Sequence, residues 1–329
     1  MKREEIISYL KSSNPCLLYK EADKTRKEYC GDKVHIRGII EFSNYCNKDC
    51  SYCGLRRSNK KVVRYRMNID EIILAATKVL SIGCKTIVLQ SGEDSFYKID
   101  DLCNLVEKIK NKFDCAITFS IGERTYQDYK QLRSSGVDRY LLRFETSNKR
   151  LFKYLKPDSS YQQRRECLSW LKELGYQTGS GSMIGLPGQT LDILADDILL
   201  IEELDLDMVG MGPFIPHPDT PLQNKKLSNL ELTLKTYALV RIITKNTHIP
   251  ATTAVGTIDL GGREKALCCG ANVIMPNFTP EEYRKYYEIY PNKLHSNLEL
   301  KDNFNQINSL IKSLNREVAK NCGHSLKKI

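Results

Sequence analysis

Ile40-Glu41-Phe42-Ser43-Asn44-Tyr45-Cys46-Asn47-Lys48-Asp49-Cys50-Ser51-Tyr52-Cys53-Gly54-Leu55-Arg56-Arg57 joins an apolar, strand-like segment to a cysteine-rich loop. The spacing is Cys-x3-Cys-x2-Cys, so one short loop can wrap its thiolates around a metal centre. No fourth thiol or imidazole lies close by: His35 is upstream in the same strand and Cys30 is farther still. A structural zinc site draws four ligands from protein. Three thiolates suit a [4Fe–4S] cluster whose fourth iron is open to a ligand that is not protein. A zinc site completed from elsewhere in the chain is the bland alternative. A disulfide is weaker still, because nothing points to secretion.

Outward from the loop, β and α patterns alternate. Strand-like runs fall at about 35–42, 85–90, 115–121, 138–144, 177–184, 207–213, 250–254 and 272–276, with amphipathic helical patterns between them. One such helix opens with Asn68-Ile69-Asp70-Glu71, which resembles a capping box, and carries Ile72, Ile73, Ala76, Val79 and Leu80 on one face. This count predicts an α/β chain folded as a closed (β/α)8 barrel of the TIM type. Strands of a parallel barrel are buried on both faces and should read as continuous apolar runs. Arg139–Thr146 and Thr178–Gly185 depart from that, with charge or glycine near the strand ends. Those ends form the active-site mouth of a parallel barrel, and local rules broken there are a sign of function. Helices at 2–12 and about 15–29, the second opening near Pro15, form an N-terminal cap (1–34) placed to cover the barrel bottom. The barrel spans 35–291. A tail (292–329) carries one amphipathic helix with Phe304, Ile307, Leu310, Ile311, Leu314 and Val318, and is expected to fray near Cys322-Gly323-His324.

Composition narrows the class. The chain has 329 residues, 41% hydrophobic and 27% charged, as in an ordinary soluble protein. No run of about 18 apolar residues exists to span a membrane. The first residues are charged and lack the apolar stretch of a signal peptide, so the expected location is cytoplasmic. The 12 cysteines are many for such a chain. Those outside the loop sit mostly in apolar segments, where a free thiol packs as a small hydrophobe. The net charge is +10, but Lys and Arg are spread among 40 acidic residues. The densest group, Arg56, Arg57, Lys60, Lys61, Arg64 and Arg66, follows the cysteine loop. Solubility and an anionic ligand explain this better than nucleic acid does.

The cysteine run, with aromatic Tyr52 before the last cysteine, is similar to the signature of radical S-adenosylmethionine (SAM) enzymes. EFSNYCNKDCSYCGLRR (41–57), VLQSGED (88–94), RYLLRFET (139–146), GSGSMIGLPGQT (179–190), MVGMGPFIPHPDTPL (208–222), IPATTAVGT (249–257) and CGANVIMPN (269–277) resemble, in order, segments of the HydE family of [FeFe]-hydrogenase maturases. The resemblance implies one [4Fe–4S] cluster on Cys46, Cys50 and Cys53, with SAM as its further ligand. Reductive cleavage of SAM would give a 5′-deoxyadenosyl radical. The implied role is assembly of the di-iron subcluster of the hydrogenase H-cluster. The substrate would be a small organometallic iron–carbonyl–cyanide–cysteine precursor from a HydG-like partner, and the product would pass to a HydF-like one. Some relatives carry a second cluster on tail cysteines. The tail here has only Cys322, so one cluster is expected.

The strand ends gain roles from the same resemblance. Tyr52, Gln90, Ser91, Gly92 and Glu93 would belong to the SAM site, with Ser-Gly-Glu where many radical SAM enzymes have Gly-Gly-Glu. Read locally, that stretch is an ordinary βα turn. Glu145 would bind the SAM ribose, Arg164 its carboxylate and Met183 its adenosine. Alternation puts Arg139, Leu141, Arg143 and Glu145 on one face. Arg143, and with it Arg139, would face anionic substrate, although an internal Arg143–Glu145 ion pair is the plain alternative. Thr118, Thr252, Thr253, Met275, and Tyr287 with Tyr290 on the last barrel helix, would line the substrate cavity. His217, in a proline-rich loop, reads as an exposed rim residue more readily than as a catalyst. Alternatives of the same barrel type are a biotin-synthase-like sulfur inserter and a methylornithine-synthase-like mutase. From a different class, a zinc- or nucleic-acid-binding module remains open.

Overall fold

A computed structural model describes residues 1–293 and 300–327. Its strands are β1 (Lys33–Ile36), β2 (Gly38–Ser43), β3 (Thr86–Ser91), β4 (Ala116–Ser120), β5 (Arg139–Leu141), β6 (Gln177–Ser180), β7 (Met183–Ile184), β8 (Met208–Val209), β9 (Gly212–Pro213), β10 (Pro250–Ala251), β11 (Val273–Ile274) and β12 (Glu317–Val318). Six of them run β2-β3-β4-β5-β6-β8, all neighbours parallel, and a second sheet runs β10-β11-β1-β12. Two seams join these sheets into a ring. His248 N donates to Asp207 O and Val209 N to His248 O, at 3.0 and 2.9 Å. Ile39 N donates to Pro276 O and Phe278 N to Ile39 O, at 2.9 and 2.8 Å. These two seams close the barrel.

Each expected strand is present, but three are split. Barrel strand one bends between β1 and β2, five between β6 and β7, and six between β8 and β9. At the second break Gly181 has φ +151°, and a Cβ there would lie 2.2 Å from Gly210 O. Only glycine lets the two strands approach this closely. The broken upper pieces β7 and β9 pair with each other and carry Met183 and Pro213 towards the barrel axis.

Outer helices follow their signals. Asn68 accepts from Glu71 N and Glu71 bonds back to Asn68 N, a complete capping box for the helix Ile69–Ser81. The N-terminal helices Arg3–Lys11 and Cys16–Cys30 pack against the outer helices Leu191–Glu203 and Leu230–Thr244, and not under the barrel. Arg3 reaches Asp196 at 2.6 Å. Amphipathic pairing with exposed barrel helices buries Ile6, Leu10, Leu18 and Ala22 in the common core.

The C-terminal residues take the place expected of that cap. The tail helix ends at Ser313, and Val318 lies in β12 beside Val34 of β1, not on the helix. Beyond it the chain crosses the barrel bottom. Arg139 Nη2 donates to Cys322 O and Gly323 O, both at 2.7 Å, and Thr86 Oγ1 donates to Cys322 O at 2.9 Å. Ser325 N donates to Gln177 Oε1 at 2.9 Å. Residues 322–325 are thus a plug, not a frayed end, because polar side chains at the strand starts, Thr86, Arg139 and Gln177, bond to their carbonyls and amides. This also corrects Arg139. It is fully buried at the barrel bottom and faces the plug, not a substrate. Hydrogen bonds from a charged donor are worth about 1.5–3 kcal/mol each. Arg139→Leu should therefore lower the melting temperature by several degrees while leaving SAM affinity at the parent value, checked by thermal melt and by titration.

Candidate active site

At the opposite end of the barrel lies a cavity of about 350 Å³. Cys46, Cys50 and Cys53 all reach its wall, with no imidazole among its lining residues. Every described cysteine is a free thiol. Burial raises the Cys53 thiol to about 12, and neighbouring Cys50 and Cys46 add to the shift. Such thiols ionise only beside a compensating cation. Among the described residues no group of three His, Cys, Asp or Glu could hold a single metal ion.

The loop is held by backbone bonds on every side. Asn47 N donates to Glu93 O, Ser51 N to Leu155 O and Gly54 N to Ile289 O, at 2.9, 2.8 and 3.0 Å. Gly92 follows β3 so closely that a Cβ would lie 2.1 Å from Tyr45 O. Beside it, Glu93 N donates to Cys46 Sγ at 3.4 Å. His217 is buried, not exposed. Its Nδ1 accepts from Asp219 N at 3.0 Å, and its ring lies against Gly54, away from the cavity.

Glu145 is the strained point of the site. Its φ is +68°, in the left-handed region that costs a non-glycine residue about 1–3 kcal/mol. Bonds from Glu145 N to Gly181 O and from Met183 N to Glu145 O, both 3.0 Å, hold it there. The carboxylate accepts from Tyr52 Oη at 2.9 Å. Arg143 Nη2 lies 2.8 Å from Glu145 Oε2, yet off the hydrogen-bond line, so this buried oxygen has no directed donor. Burial pulls the Arg143 guanidinium down, and Glu145 together with Tyr52 more than restores it. The ion pair read as the plain alternative is therefore present.

Arg164 donates through Nε to Glu123 Oε1 at 2.8 Å and through Nη1 to Arg143 O at 3.1 Å. Lys48 bridges Glu93 and Glu123 at 3.2 and 3.5 Å. Glu123 is a residue the sequence reading missed, although it lies just past the end of β4, where such residues are to be sought. Also missed was a buried pair in the wall, Glu41 of β2 with Lys293. Asn277 Nδ2 donates to the free Glu41 oxygen at 2.8 Å. Lys293 lies beyond the expected barrel limit, and no local pattern marks it.

Gln90, Ser91, Gly92, Glu93, Arg143, Arg164, Met183, Thr252, Thr253 and Met275 all line the cavity. So do Tyr287 and Tyr290, but not from a helix: the helical turn before them ends at Arg284, and both tyrosines follow it. Tyr287 Oη accepts from Gln90 Nε2 at 3.3 Å. Thr118 does not reach the wall. It lies one pleat below Ser120, which does, with its Oγ1 buried and unpartnered. The cations after the loop are mostly answered by acids: Arg56 by Asp49, Arg57 by Asp158, Lys61 by Asp219 and Arg66 by Asp94.

Residues 40–201 match the Radical SAM superfamily. A curated relative, the [FeFe] hydrogenase maturase subunit HydE of Thermotoga maritima, is 57% identical over 84% of this chain and 79% of its own length. The chain belongs to the HydE family of radical SAM enzymes. Membership in HydE accounts for the thiol triad and implies an iron–sulfur cluster and SAM. More distant is the 3-methylornithine synthase of Methanosarcina acetivorans, 31% identical over 78% of this chain and 73% of its length. The fold is that of the methylornithine synthase PylB, with a TM-score of 0.85 at 24% identity over 97% of this chain and 94% of that one. HydG of Carboxydothermus hydrogenoformans superposes with a TM-score of 0.78 at 19% identity, covering 95% and 75%. Among the described residues no helix is long and apolar enough to cross a membrane.

Proposed function

We propose that this protein acts as a HydE-type maturase, using SAM on a small organometallic precursor of the hydrogenase di-iron subcluster. The observation that carries this is a shared cavity. The thiol triad, the Glu145 carboxylate, and the Arg143, Thr252 and Tyr287 group all line it. The residues present fit the implied cofactors. Three thiols at one wall, Cys50 buried and Cys46 and Cys53 half-buried, call for positive iron, and the Glu145 carboxylate that Tyr52 and Arg143 hold at that wall suits a hydroxyl donor such as a ribose.

In this reading Cys46, Cys50 and Cys53 hold one [4Fe–4S] cluster. The cluster and SAM, when bound, supply a 5′-deoxyadenosyl radical. The chain's own residues bind, orient and seal. Tyr52 holds the Glu145 carboxylate towards the ribose. Gln90, Ser91, Gly92 and Glu93 receive the methionine amino group, and Arg164 its carboxylate, with Glu123 fixing the guanidinium plane. Met183 packs on the adenosine. Arg143, with Thr252, Thr253, Met275, Tyr287 and Tyr290, faces the precursor, whose anionic groups suit a guanidinium and hydroxyl donors. Delivery from a HydG-like protein and release to a HydF-like one complete the proposal.

Reconstituted protein should carry about four irons per chain and a brown chromophore. A count near eight would show a second cluster and overturn the single-cluster reading; one zinc without colour would overturn the cluster itself. The decisive assay is activation of apo-hydrogenase in an extract lacking only this protein. Activation restored by adding it, with SAM consumed, is the expected result.

A further inference from the structure

Lys156 directly follows the helix Lys149–Leu155, and its side chain ends in the cavity wall. The residue is 7% exposed, and its Nζ donates to Cys50 Sγ at 3.3 Å. The approach is built by the backbone. Ser51, next to Cys50, donates from N to Leu155 O at 2.8 Å and from Oγ to Tyr154 O at 2.9 Å. Lys156 N closes the helix on Phe152 O at 2.8 Å. The helix end and the cysteine loop are therefore stapled together, and the lysine stem has one short path to the sulfur.

The nearby acids are engaged elsewhere: Asp158 with Arg57 at 3.2 Å and Asp49 with Arg56 at 2.8 Å. A buried ammonium without a counter-charge is costly. The acceptor within its reach is the Cys50 sulfur, with the face of the Tyr52 ring farther off at 6.0 Å. We propose that Lys156 is a positioning residue that raises the reduction potential of the cluster by donating its ammonium N–H to the Cys50 ligand sulfur. This rests on the reading of Cys50 as a cluster ligand. Hydrogen bonds to ligand sulfurs and local charge are the levers by which a protein sets such potentials. Adding one electron makes the cluster more negative, so a fixed positive charge beside a ligand sulfur stabilises the reduced form more than the oxidised one. In the cavity the screening by water is weak, which enlarges the difference. The lysine would thus ease the entry of the electron on which SAM cleavage depends.

The test is a redox titration of the full chain, reconstituted anaerobically with iron and sulfide, without SAM, with the reduced cluster followed by electron paramagnetic resonance. Parent, Lys156→Met, Lys156→Gln, Lys156→Arg and Cys50→Ala are compared. Loss of the ammonium in Lys156→Met or Lys156→Gln should disfavour reduction about tenfold, a fall of about 59 mV for a one-electron couple. Lys156→Arg should recover most of it. Should Lys156→Met not take up iron, Lys156→Gln, which keeps the polar length, carries the measurement. A parent-like midpoint in Lys156→Gln, at full iron content, overturns the inference. So does an unchanged midpoint joined to a more than tenfold loss of SAM affinity, which would make Lys156 a SAM ligand. If Cys50→Ala keeps a full cluster, the ligand reading beneath the inference fails instead.

Discussion

Replacing any one of Cys46, Cys50 or Cys53 by Ala is expected to reduce 5′-deoxyadenosine formation to background, while the barrel stays folded. The chemical half follows from ligand count. With two thiolates left, the cluster is neither held nor given its single open iron. The structural half follows from how the loop is anchored. Its shape depends on backbone bonds from Asn47, Ser51 and Gly54 and on the Arg56–Asp49 pair more than on the sulfurs, of which Cys46 accepts from Glu93 N and Cys50 from Lys156 Nζ. Apo-protein melting should therefore move by no more than a few degrees. The readouts are iron content, circular dichroism and product formation under argon. A single variant that still makes 5′-deoxyadenosine at the parent rate would remove the core of the site assignment.

The second large effect concerns Arg143 and Glu145, which share the cavity and lie 2.8 Å apart. Arg143→Leu should lose hydrogenase activation by orders of magnitude yet keep SAM affinity within about tenfold. Arg143 is partly exposed at the cavity, and removing a guanidinium from an anion whose binding desolvates it typically costs about 2–5 kcal/mol. Glu145 would retain Tyr52 as donor, so its carboxylate stays placed. Glu145→Gln should do the reverse and weaken SAM first, since it removes the charge that accepts from Tyr52 and answers Arg143. SAM titration and hydrogenase activation, run on both variants, make a crossed test. Equal loss of SAM binding in the two would mean that they act as one structural ion pair, because a broken buried pair leaves an uncompensated charge. The division into a cofactor end and a substrate end would then fall.

Much of this site was legible because its signals are local. Three thiols in one short loop need no tertiary information to converge. The period of the apolar residues set the β–α alternation, and a closed parallel barrel places the strand C-termini at one mouth. Gln90, Glu93, Arg143, Thr252 and Met275 stand at or just past strand ends, but it was the family resemblance that assigned them to one cavity. Where the reading failed, long-range contacts decided. Arg139 and Arg143 look alike by alternation, yet one lies at the start of β5 and the other past its end. The chain terminus returns to claim the first. Thr118 fell short of the wall by one pleat.

What the sequence by itself determined was the fold class, the three-cysteine loop and which strand ends face the barrel mouth. Periodicity and cysteine spacing are properties of neighbours along the chain. What only the tertiary structure decided was which charges meet. Lys156 with Cys50, Glu41 with Lys293, Arg164 with Glu123 and Arg139 with the C-terminal carbonyls join residues far apart in sequence. A buried charge must find its partner wherever the closed barrel brings one, and no pattern along the chain records that choice.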